Sequence, residues 1–249
     1  MKILYQSEEL LIIDREANIP GPILALWSNG EQSFSYGEGF SGSKIECANP
    51  FYQTIYKVIN KHLRERFKNK KFICLDCETT GLNPEEDEIL SISIVNQNGE
   101  VLFDELFKPE NHTSWDKAQV IHGIAPADVE NKSFLKNKLN DIMKILSQYQ
   151  LIIGYNLEFD LKFLARAYGF FWIKDLIGDK CDVKDVMLMF APIYGEKKEP
   201  YGYKWQTLET CANYYNYKFK AHNSLEDVKA TVYCYNQIMK QKLYLYEVE

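Results

Sequence analysis

Four acidic residues of this 249-residue chain occupy positions from which their carboxylates could bind a metal ion. Asp76 and Glu78 follow an apolar run that starts at Lys71. Residues i and i+2 of a strand point to the same face, so these two carboxylates converge on one point. Asp160 and Asp227 each fall where a helix is predicted to begin. Mg²⁺ and Mn²⁺ prefer oxygen ligands and would relieve the repulsion between neighbouring carboxylates, so the pattern indicates a divalent-cation site.

His222 is the candidate for proton transfer, because it lies five residues before Asp227 and histidine is the side chain that titrates near neutral pH. Each signal is weak alone, since Asp-x-Glu pairs arise by chance and a helix-starting Asp is usually a cap. The order of the motifs is more specific. Asp76-x-Glu78-Thr-Thr-Gly-Leu comes first, Asn156-x-x-Phe-Asp follows it, and His222-x-x-x-x-Asp opens the last long helix.

This arrangement resembles the DnaQ-like 3′–5′ exonucleases of the DEDDh type, which include the epsilon subunit of bacterial DNA polymerase III and RNase T. The resemblance covers about residues 71–240 and extends to the Ile-His-Gly-Ile segment at 121–124 and to the segment 208–211. It implies an α/β fold with a ribonuclease H-like mixed sheet flanked by helices. It also implies two divalent metal ions, Mg²⁺ or Mn²⁺. The implied catalytic set is Asp76, Glu78, Asp160, His222 and Asp227, with the four carboxylates as metal ligands and the histidine as general base.

The resemblance implies a hydrolase that releases nucleoside monophosphates one at a time from the 3′ end of DNA or RNA. The two ions would stabilise the charge on the attacking and leaving oxygens, and His222 would take a proton from the attacking water. Two alternatives remain, an exonuclease that trims RNA and a nucleic-acid-binding module without the chemistry. The presence of all five chemical residues argues against the second. The choice between DNA and RNA depends on contacts to the 2′ position rather than on the motifs.

By the same resemblance, a second group of residues contacts the substrate: Thr79, Thr80, Leu82, His122, Asn156 and Phe159. The two threonines and Leu82 are expected at the terminal nucleotide, with Leu82 inserted between the last two bases. Phe159 is expected to offer an apolar or stacking surface, and His122 to lie near the 3′ end. Local packing is the alternative explanation for Leu82 and Phe159. One departure is Tyr155, which stands where many relatives have histidine.

The elements that must position these residues are predicted from hydrophobic spacing. Strands are predicted over 71–76, 89–95, 101–107 and 151–154, and helices over 132–147, 161–168, 204–215 and 225–239. Strands that first form a meander and then alternate with helices are typical of a mixed sheet with helices on both faces.

The chain before the exonuclease region is predicted to form two further parts. Residues 1–48 indicate a small β-rich accessory module, since two apolar segments flank an Asn-Gly pair, which is a strong hairpin signal. Residues 49–70 indicate a connecting helix rich in basic residues, and residues 71–249 form the exonuclease domain. The basic residues are either a solvated surface or a contact for phosphate groups. Residues 1–70 are accordingly expected to bind a protein partner or to extend the substrate groove.

Charge and composition restrict the class of protein further. The 29 basic and 35 acidic residues give a net charge of −6, which argues against a generally basic nucleic-acid binder but not against a nuclease with a carboxylate-rich site. No apolar segment reaches the ~18 residues of a membrane span, so no membrane partner is expected. The six cysteines are scattered, which is typical of free thiols in a reducing compartment. A cytoplasmic globular protein is therefore expected.

Overall fold

The computed structural model describes residues 2–6, 10–14, 23–27, 33–36, 58, 70–178, 181–198 and 203–244. The chain divides into two compact units. The first contains residues 1–70, 191–204 and 243–249, and the second contains residues 71–190 and 205–242. The domain boundaries expected from the sequence stay predictions. The basic helix predicted over 49–70 lies outside the described residues, apart from Val58 and Lys70.

Four short strands of the first unit form an antiparallel sheet. They are β1 (Lys2–Gln6), β2 (Leu10–Asp14), β3 (Ile23–Trp27) and β4 (Ser33–Tyr36), and each pairs with the next along the chain. The pairing of the last two places Leu26 opposite Ser33, as expected for the predicted hairpin. The Asn-Gly pair between them lies outside the described residues.

A five-stranded mixed sheet forms the centre of the second unit. Its strands are β5 (Phe72–Thr79), β6 (Ile89–Asn96), β7 (Val101–Leu106), β8 (Leu151–Gly154) and β9 (Asp182–Asp185). They lie in the order β7-β6-β5-β8-β9. The first three along the chain pair antiparallel, whereas β8 is parallel to both β5 and β9. The predicted mixed sheet is confirmed.

Helices and one 3-10 turn connect and cover the strands of this sheet. They are α1 (Asp116–His122), α2 (Pro126–Val129), the 3-10 turn Leu135–Asn137, α3 (Leu139–Leu146), α4 (Leu157–Ala167), α5 (Ile173–Ile177), α6 (Val186–Tyr194), α7 (Leu208–Tyr214) and α8 (Ser224–Tyr244). None of the described helices has the length and apolar character that crossing a membrane requires. The described cysteines, at 74, 77, 181, 211 and 234, are free and buried.

The two faces of the sheet pack against different helices. Ile73 and Leu75 of β5 belong to a core cluster that also contains Ile142 of α3 and Leu161 of α4. Side chains alternate along a strand, so the even-numbered residues of β5 face the other way. On that side the ring of Phe72 lies 5.0 Å from that of Tyr235, which belongs to α8. The carboxylates at positions 76 and 78 therefore lie on the face that α8 covers.

The structure departs from the predicted elements at several points, three of which concern α3, α4 and β9. The helix predicted over 132–147 begins only at Leu139, because a 3-10 turn precedes it; Leu135 of that turn packs on the core beside Leu139, so the apolar spacing continues without α-helical geometry. The helix predicted from 161 begins at Leu157. Strand β9 was not predicted, because three of its four residues are charged, and it is held by pairing with β8 rather than by apolar content.

Candidate active site

The two predicted carboxylates of β5 meet a third one from α8. One oxygen each of Asp76, Glu78 and Asp227 lies within 4.8 Å of the other two. Asp76 and Glu78 stand at the carboxyl end of β5, and Asp227 lies in the first turn of α8. The three oxygens are close enough to bind one cation together. Within the described ranges, no other cluster of three or more acidic, histidine or cysteine ligands has this geometry.

Asp160 is the fourth predicted carboxylate, and the structure places it beside this cluster rather than within it. Its Oδ1 accepts a hydrogen bond from the backbone N–H of Cys77 at 2.9 Å, which fixes the buried side chain against β5. The hydrogen bond between Cys77 and Asp160 requires α4 to lie close to the sheet. A Cβ atom on Gly154 would lie 2.7 Å from Cδ1 of Leu157 and 3.0 Å from the carbonyl oxygen of Leu75, so a larger residue would crowd this approach.

Only one of the two carboxylate oxygens of Asp227 has a hydrogen-bond partner among the described residues. Its Oδ2 accepts a hydrogen bond from the backbone N–H of His222 at 3.1 Å. Its Oδ1 is buried and has no hydrogen-bond partner among the described residues. A buried, charged carboxylate oxygen without a donor is costly, so this atom requires a proton, a hydrogen-bond donor or a cation. The oxygen-only donor set of the cluster fits a hard divalent cation such as Mg²⁺ or Mn²⁺.

Burial and mutual repulsion raise the pKa values of all four carboxyl groups. Burial, with the charge of Asp227, raises the pKa of Glu78 to about 8. Burial raises the pKa of Asp227 to about 7. The pKa values of Asp76 and Asp160 lie well above the usual range, chiefly because both groups are buried and then because they face neighbouring carboxylates. Without a cation, the site therefore holds protons near neutral pH.

The metal-free protein is expected to lose stability as the pH rises. Glu78 and Asp227 bind protons more tightly in the folded than in the unfolded chain, where their pKa values are about 4, so their contribution is complete below pH ~4 and is lost as the pH rises through about 7 and 8. The melting temperature in EDTA should fall on the order of 5 °C between pH 5 and pH 8. Asp227→Asn should flatten this slope. A melting temperature that rises with pH in both proteins would contradict the assignment.

The two histidines of the site are held differently. Nδ1 of His122 accepts a hydrogen bond from the N–H of Ile124 at 3.0 Å, so the ring hydrogen lies on Nε2, which is 3.2 Å from the carbonyl oxygen of Thr79. Burial lowers the pKa of His122. This ring is thus neutral and serves to hold the end of β5. The exposed imidazole of His222 makes no hydrogen bond within the described part of the chain, and the residue has a left-handed backbone with φ of 63°.

A cavity of about 530 Å³ opens beside the carboxylates. Its lining includes Glu78, Asp104, His122, Lys132, His222 and Ser224. The ring of His222 and the carboxylate of Glu78 therefore border the same cavity. A molecule that entered the cavity would meet an imidazole and a carboxylate together.

The predicted substrate contacts around residue 80 form a tightly bonded loop. The hydroxyl of Thr79 donates to the carbonyl of Gly81 at 2.6 Å. That of Thr80 donates to Asp87 at 3.2 Å and accepts from the N–H of Glu88 at 2.9 Å. Both hydroxyls are therefore engaged inside the loop. By contrast, the side chain of Leu82 is 83% exposed, which excludes local packing as its role.

The other two predicted contacts lie at the start of α4. Asn156 is exposed and has a left-handed backbone with φ of 61°. The half-buried ring of Phe159 lies 4.9 Å from that of Phe163 and packs against the core, so local packing explains part of its surface. The contacts of both residues with substrate stay predictions.

Gly81→Ala is expected to disrupt this loop. An added Cβ would lie 2.4 Å from Oδ2 of Asp87, and Asp87 also accepts the N–H of Asn83 at 2.9 Å. Displacing that carboxylate should lower the free energy of unfolding by about 1–3 kcal/mol and raise KM for the nucleic acid. Urea denaturation and initial rates measure the two effects, with the exposed Glu86→Ala as the control in the same loop. Unchanged stability of Gly81→Ala would contradict the crowding seen here.

Two residues that support the site were missed or undervalued in the sequence. Oδ1 of Asp185, at the end of β9, accepts the N–H of Asn156 at 3.1 Å and that of Met187 at 2.9 Å, which fixes the turn before Asp160. The sequence feature that could have identified Asp185 is an Asp between a strand and a helix, but β9 was not predicted as a strand. The hydroxyl of Tyr155 donates to the carbonyl of Gln206 at 2.8 Å, so it holds the segment before α7.

Residues 73–235 match the profile of the RNase T family, which is described as exonuclease. The chain belongs to the DnaQ-like 3′–5′ exonuclease family. The match covers more than half of the chain and contains all the carboxylates described above. The resemblance inferred from the motifs is thereby confirmed.

The names of curated relatives refer to different nucleic acids. The chain is 31% identical over 170 residues to RNA exonuclease 4 of Saccharomyces cerevisiae, which covers 67% of this chain and 54% of that protein. It is 35% identical over 115 residues to PolC-type DNA polymerase III of Thermotoga petrophila, which covers 45% of this chain and 8% of that protein. The chain thus spans about half of the first relative and under a tenth of the second.

Solved structures agree with this membership at the level of the fold. A complex of E. coli exonuclease I with single-stranded DNA superimposes with a TM-score of 0.58 at 20% identity, over 72% of this chain and 42% of that one. A second complex of the same enzyme, with a dT13 oligonucleotide, gives a TM-score of 0.59 at 18% identity. The exonuclease domain therefore has the expected ribonuclease H-like α/β fold.

Proposed function

We propose that the chain is a metal-dependent 3′–5′ exonuclease that hydrolyses the terminal phosphodiester bond of DNA or RNA and releases nucleoside monophosphates. The observation that carries the proposal is the convergence of Asp76, Glu78 and Asp227 within 4.8 Å. The buried Oδ1 of Asp227, which has no hydrogen-bond partner among the described residues, supports it, because a bound cation would neutralise that atom. Family membership supplies the reaction class.

Asp76, Glu78, Asp160 and Asp227 are proposed to hold two divalent ions, Mg²⁺ or Mn²⁺. Asp160 is the proposed fourth ligand because the N–H of Cys77 occupies only its Oδ1. When bound, divalent ions would offset the negative charge of the carboxylates and act as Lewis acids on the phosphodiester. The carboxylates would fix where those ions lie, and the ions in turn would fix where the phosphate lies.

His222 is the proposed general base. Its ring is exposed, lines the same cavity as Glu78 and makes no hydrogen bond with a described residue, so it can accept a proton from the attacking water. The hydrogen bond from its backbone N–H to Asp227 ties the base to a metal-ligand candidate on one short segment. His122 is unsuited to this role, because its Nδ1 already accepts the N–H of Ile124.

The proposed substrate is a 3′ end with unpaired terminal bases. Leu82, with 83% of its side chain exposed, is proposed to insert between the last two bases. Thr79, Thr80, Asn156 and Phe159 are proposed to border the terminal nucleotide. RNA is the second candidate substrate, since RNA exonuclease 4 aligns with 67% of this chain and the PolC-type polymerase with 45%. Residues 1–70 are proposed to bind a protein partner or to extend the groove.

Nucleotide release from matched 5′-labelled single-stranded DNA and RNA tests the proposal. Wild-type protein with Mg²⁺ or Mn²⁺ should produce a ladder that shortens from the 3′ end, and EDTA should abolish it. Asp76→Ala should produce no ladder. Glu226→Gln is the matched control, since it removes one carboxylate from the first turn of α8 outside the cluster, and it should keep wild-type activity.

Each outcome leads to a distinct conclusion. Faster shortening of RNA than of DNA would identify an exoribonuclease. Tight strand binding without nucleotide release in either metal would favour the nucleic-acid-binding module instead. A ladder of equal intensity from Asp76→Ala would exclude the proposed site.

A further inference from the structure

Three serine hydroxyls form a buried chain beneath the cavity. Ser91 and Ser93 belong to β6, and Ser224 is the first residue of α8. The hydroxyl oxygen of Ser224 lies 2.7 Å from that of Ser91 and 2.8 Å from that of Ser93. Ser93 in turn donates to Oδ1 of Asp104, on β7, at 2.7 Å. The exposed fractions of Ser91, Ser93 and Ser224 are 4%, 0% and 4%, so these bonds are largely shielded from bulk water.

The direction of each hydrogen bond follows from counting hydrogens. A hydroxyl has one hydrogen, and Ser93 uses its hydrogen on the carboxylate of Asp104. Ser224 must therefore donate to Ser93, and Ser91 must donate to Ser224. The result is one chain of donors that ends on Asp104. Bonds in such a chain strengthen one another, and the negative end fixes its direction.

The register of the sheet places this chain next to the catalytic carboxylates. Ser93 pairs with Asp76 across β5 and β6, and Ser91 pairs with Glu78, so all four side chains lie on one face. Serine is small enough for the first turn of α8 to approach that face. Asn223 already caps the helix, because its Oδ1 accepts the N–H of Glu226 at 3.1 Å, which leaves Ser224 to bond the sheet.

We propose that Ser93, together with Ser91, Ser224 and Asp104, is a set of positioning residues that holds the first turn of α8 on the sheet and thereby sets the distance of Asp227 from Asp76 and Glu78. The proposal rests on the exonuclease function proposed above and adds four positioning residues to its site. None of the four positioning residues is a metal ligand. They act through Asp227, which lies one helical turn beyond Ser224.

The alternative is that the serines only satisfy one another and stabilise the fold. Ser93→Ala and Asp104→Ala separate the two explanations. Asp104 is exposed, so its truncation removes the end of the chain without opening a core cavity. The matched control is Ile92→Val, on the same strand but in the core cluster of the opposite face, which should lower the melting temperature without moving α8.

Three measurements test the proposal. Calorimetric titration with Mn²⁺ in the absence of nucleic acid should show about tenfold weaker binding in Ser93→Ala and Asp104→Ala. Hydrogen exchange of the metal-free protein should show faster exchange at Asp227, whose N–H bonds the carbonyl of Asn223 at 2.9 Å. Initial rates should show kcat lowered about tenfold with KM for the oligonucleotide unchanged. Ile92→Val should match wild type in all three.

The double variant Ser93→Ala/Ser224→Ala provides a test of coupling. Because both hydroxyls belong to one chain, its Mn²⁺ affinity should be no more than about twofold below that of the weaker single variant. Wild-type Mn²⁺ affinity in Ser93→Ala and Asp104→Ala, or equal losses in Ile92→Val, would overturn the proposal and leave a purely structural role. A wild-type protein that binds Mn²⁺ but releases no nucleotide would refute the exonuclease function, while the binding and exchange data would still decide the positioning role.

Discussion

Asp227→Asn is expected to lower the rate of nucleotide release on the order of 10³-fold and, in the same protein, to raise the melting temperature of the metal-free state at pH 8, where the wild-type carboxylate is charged. The loss of rate follows from the loss of a proposed metal ligand, since Lewis-acid stabilisation by a bound ion contributes several kcal/mol to the transition state. The gain in stability follows from the buried Oδ1, which has no partner among the described residues. An amide carries no charge that must be buried.

The measurement is a pair of melting curves, with EDTA and with saturating Mn²⁺, beside the rate of nucleotide release. Wild-type protein should gain stability when Mn²⁺ is added, and Asp227→Asn should gain much less, because binding stabilises only the state that binds. Glu226→Gln, which removes a carboxylate one residue earlier, should behave as wild type. If Asp227→Asn melted lower than wild type in EDTA at pH 8, the raised pKa of Asp227, about 7, would not describe the protein.

His222→Asn is expected to lower kcat by about 10²–10³-fold, with KM and Mn²⁺ affinity within about twofold of wild type. Asparagine is the informative replacement because it tolerates the left-handed backbone found at this residue, whose φ is 63°. The hydrogen bond to Asp227 comes from the backbone N–H and is therefore kept. Only the proton acceptor is lost.

Single-turnover rates at saturating oligonucleotide measure this effect. Added imidazole should restore part of the rate of His222→Asn, since a free base can enter the open cavity that the ring lines. Lys220→Ala, at an exposed position two residues earlier, is the control and should keep full activity. A His222→Asn protein with a wild-type kcat would remove His222 from the role of general base. A lowered Mn²⁺ affinity would show instead that the residue positions Asp227.

The structure also changes the interpretation of the neighbouring histidine. His122 was expected near the 3′ end, and it does line the cavity. Its two ring nitrogens are occupied by the N–H of Ile124 and the carbonyl of Thr79. The neutral ring of His122 therefore orients the end of β5. A sequence motif cannot reveal this role, because the tautomer of a histidine depends on the hydrogen-bond partners of both ring nitrogens.

The sequence by itself determined the exonuclease family of this protein and the residues proposed to carry its chemistry. Metal ligands must be particular residue types, and the proposed ligands Asp76 and Glu78 lie two residues apart on one face of one strand, so a short motif defines half of the proposed site. The predicted order of a meander followed by alternating strands and helices was enough to indicate the mixed sheet. Hydrophobic spacing fails where backbone pairing rather than apolar content holds an element, as in β9, with three charged residues of four.

Only the tertiary structure decided how the second half of the site is brought to the first. Ser91 and Ser224 are 133 positions apart, yet their hydroxyls lie 2.7 Å from each other, and this contact seats the helix that carries Asp227. Asp185 holds the turn before Asp160 across 29 positions. No local pattern marks these residues, because a serine in a strand or an Asp after one is ordinary until its partner is known. The physical reason is that hydrogen bonds between distant segments depend on the packing of whole elements, which sequence spacing alone does not specify.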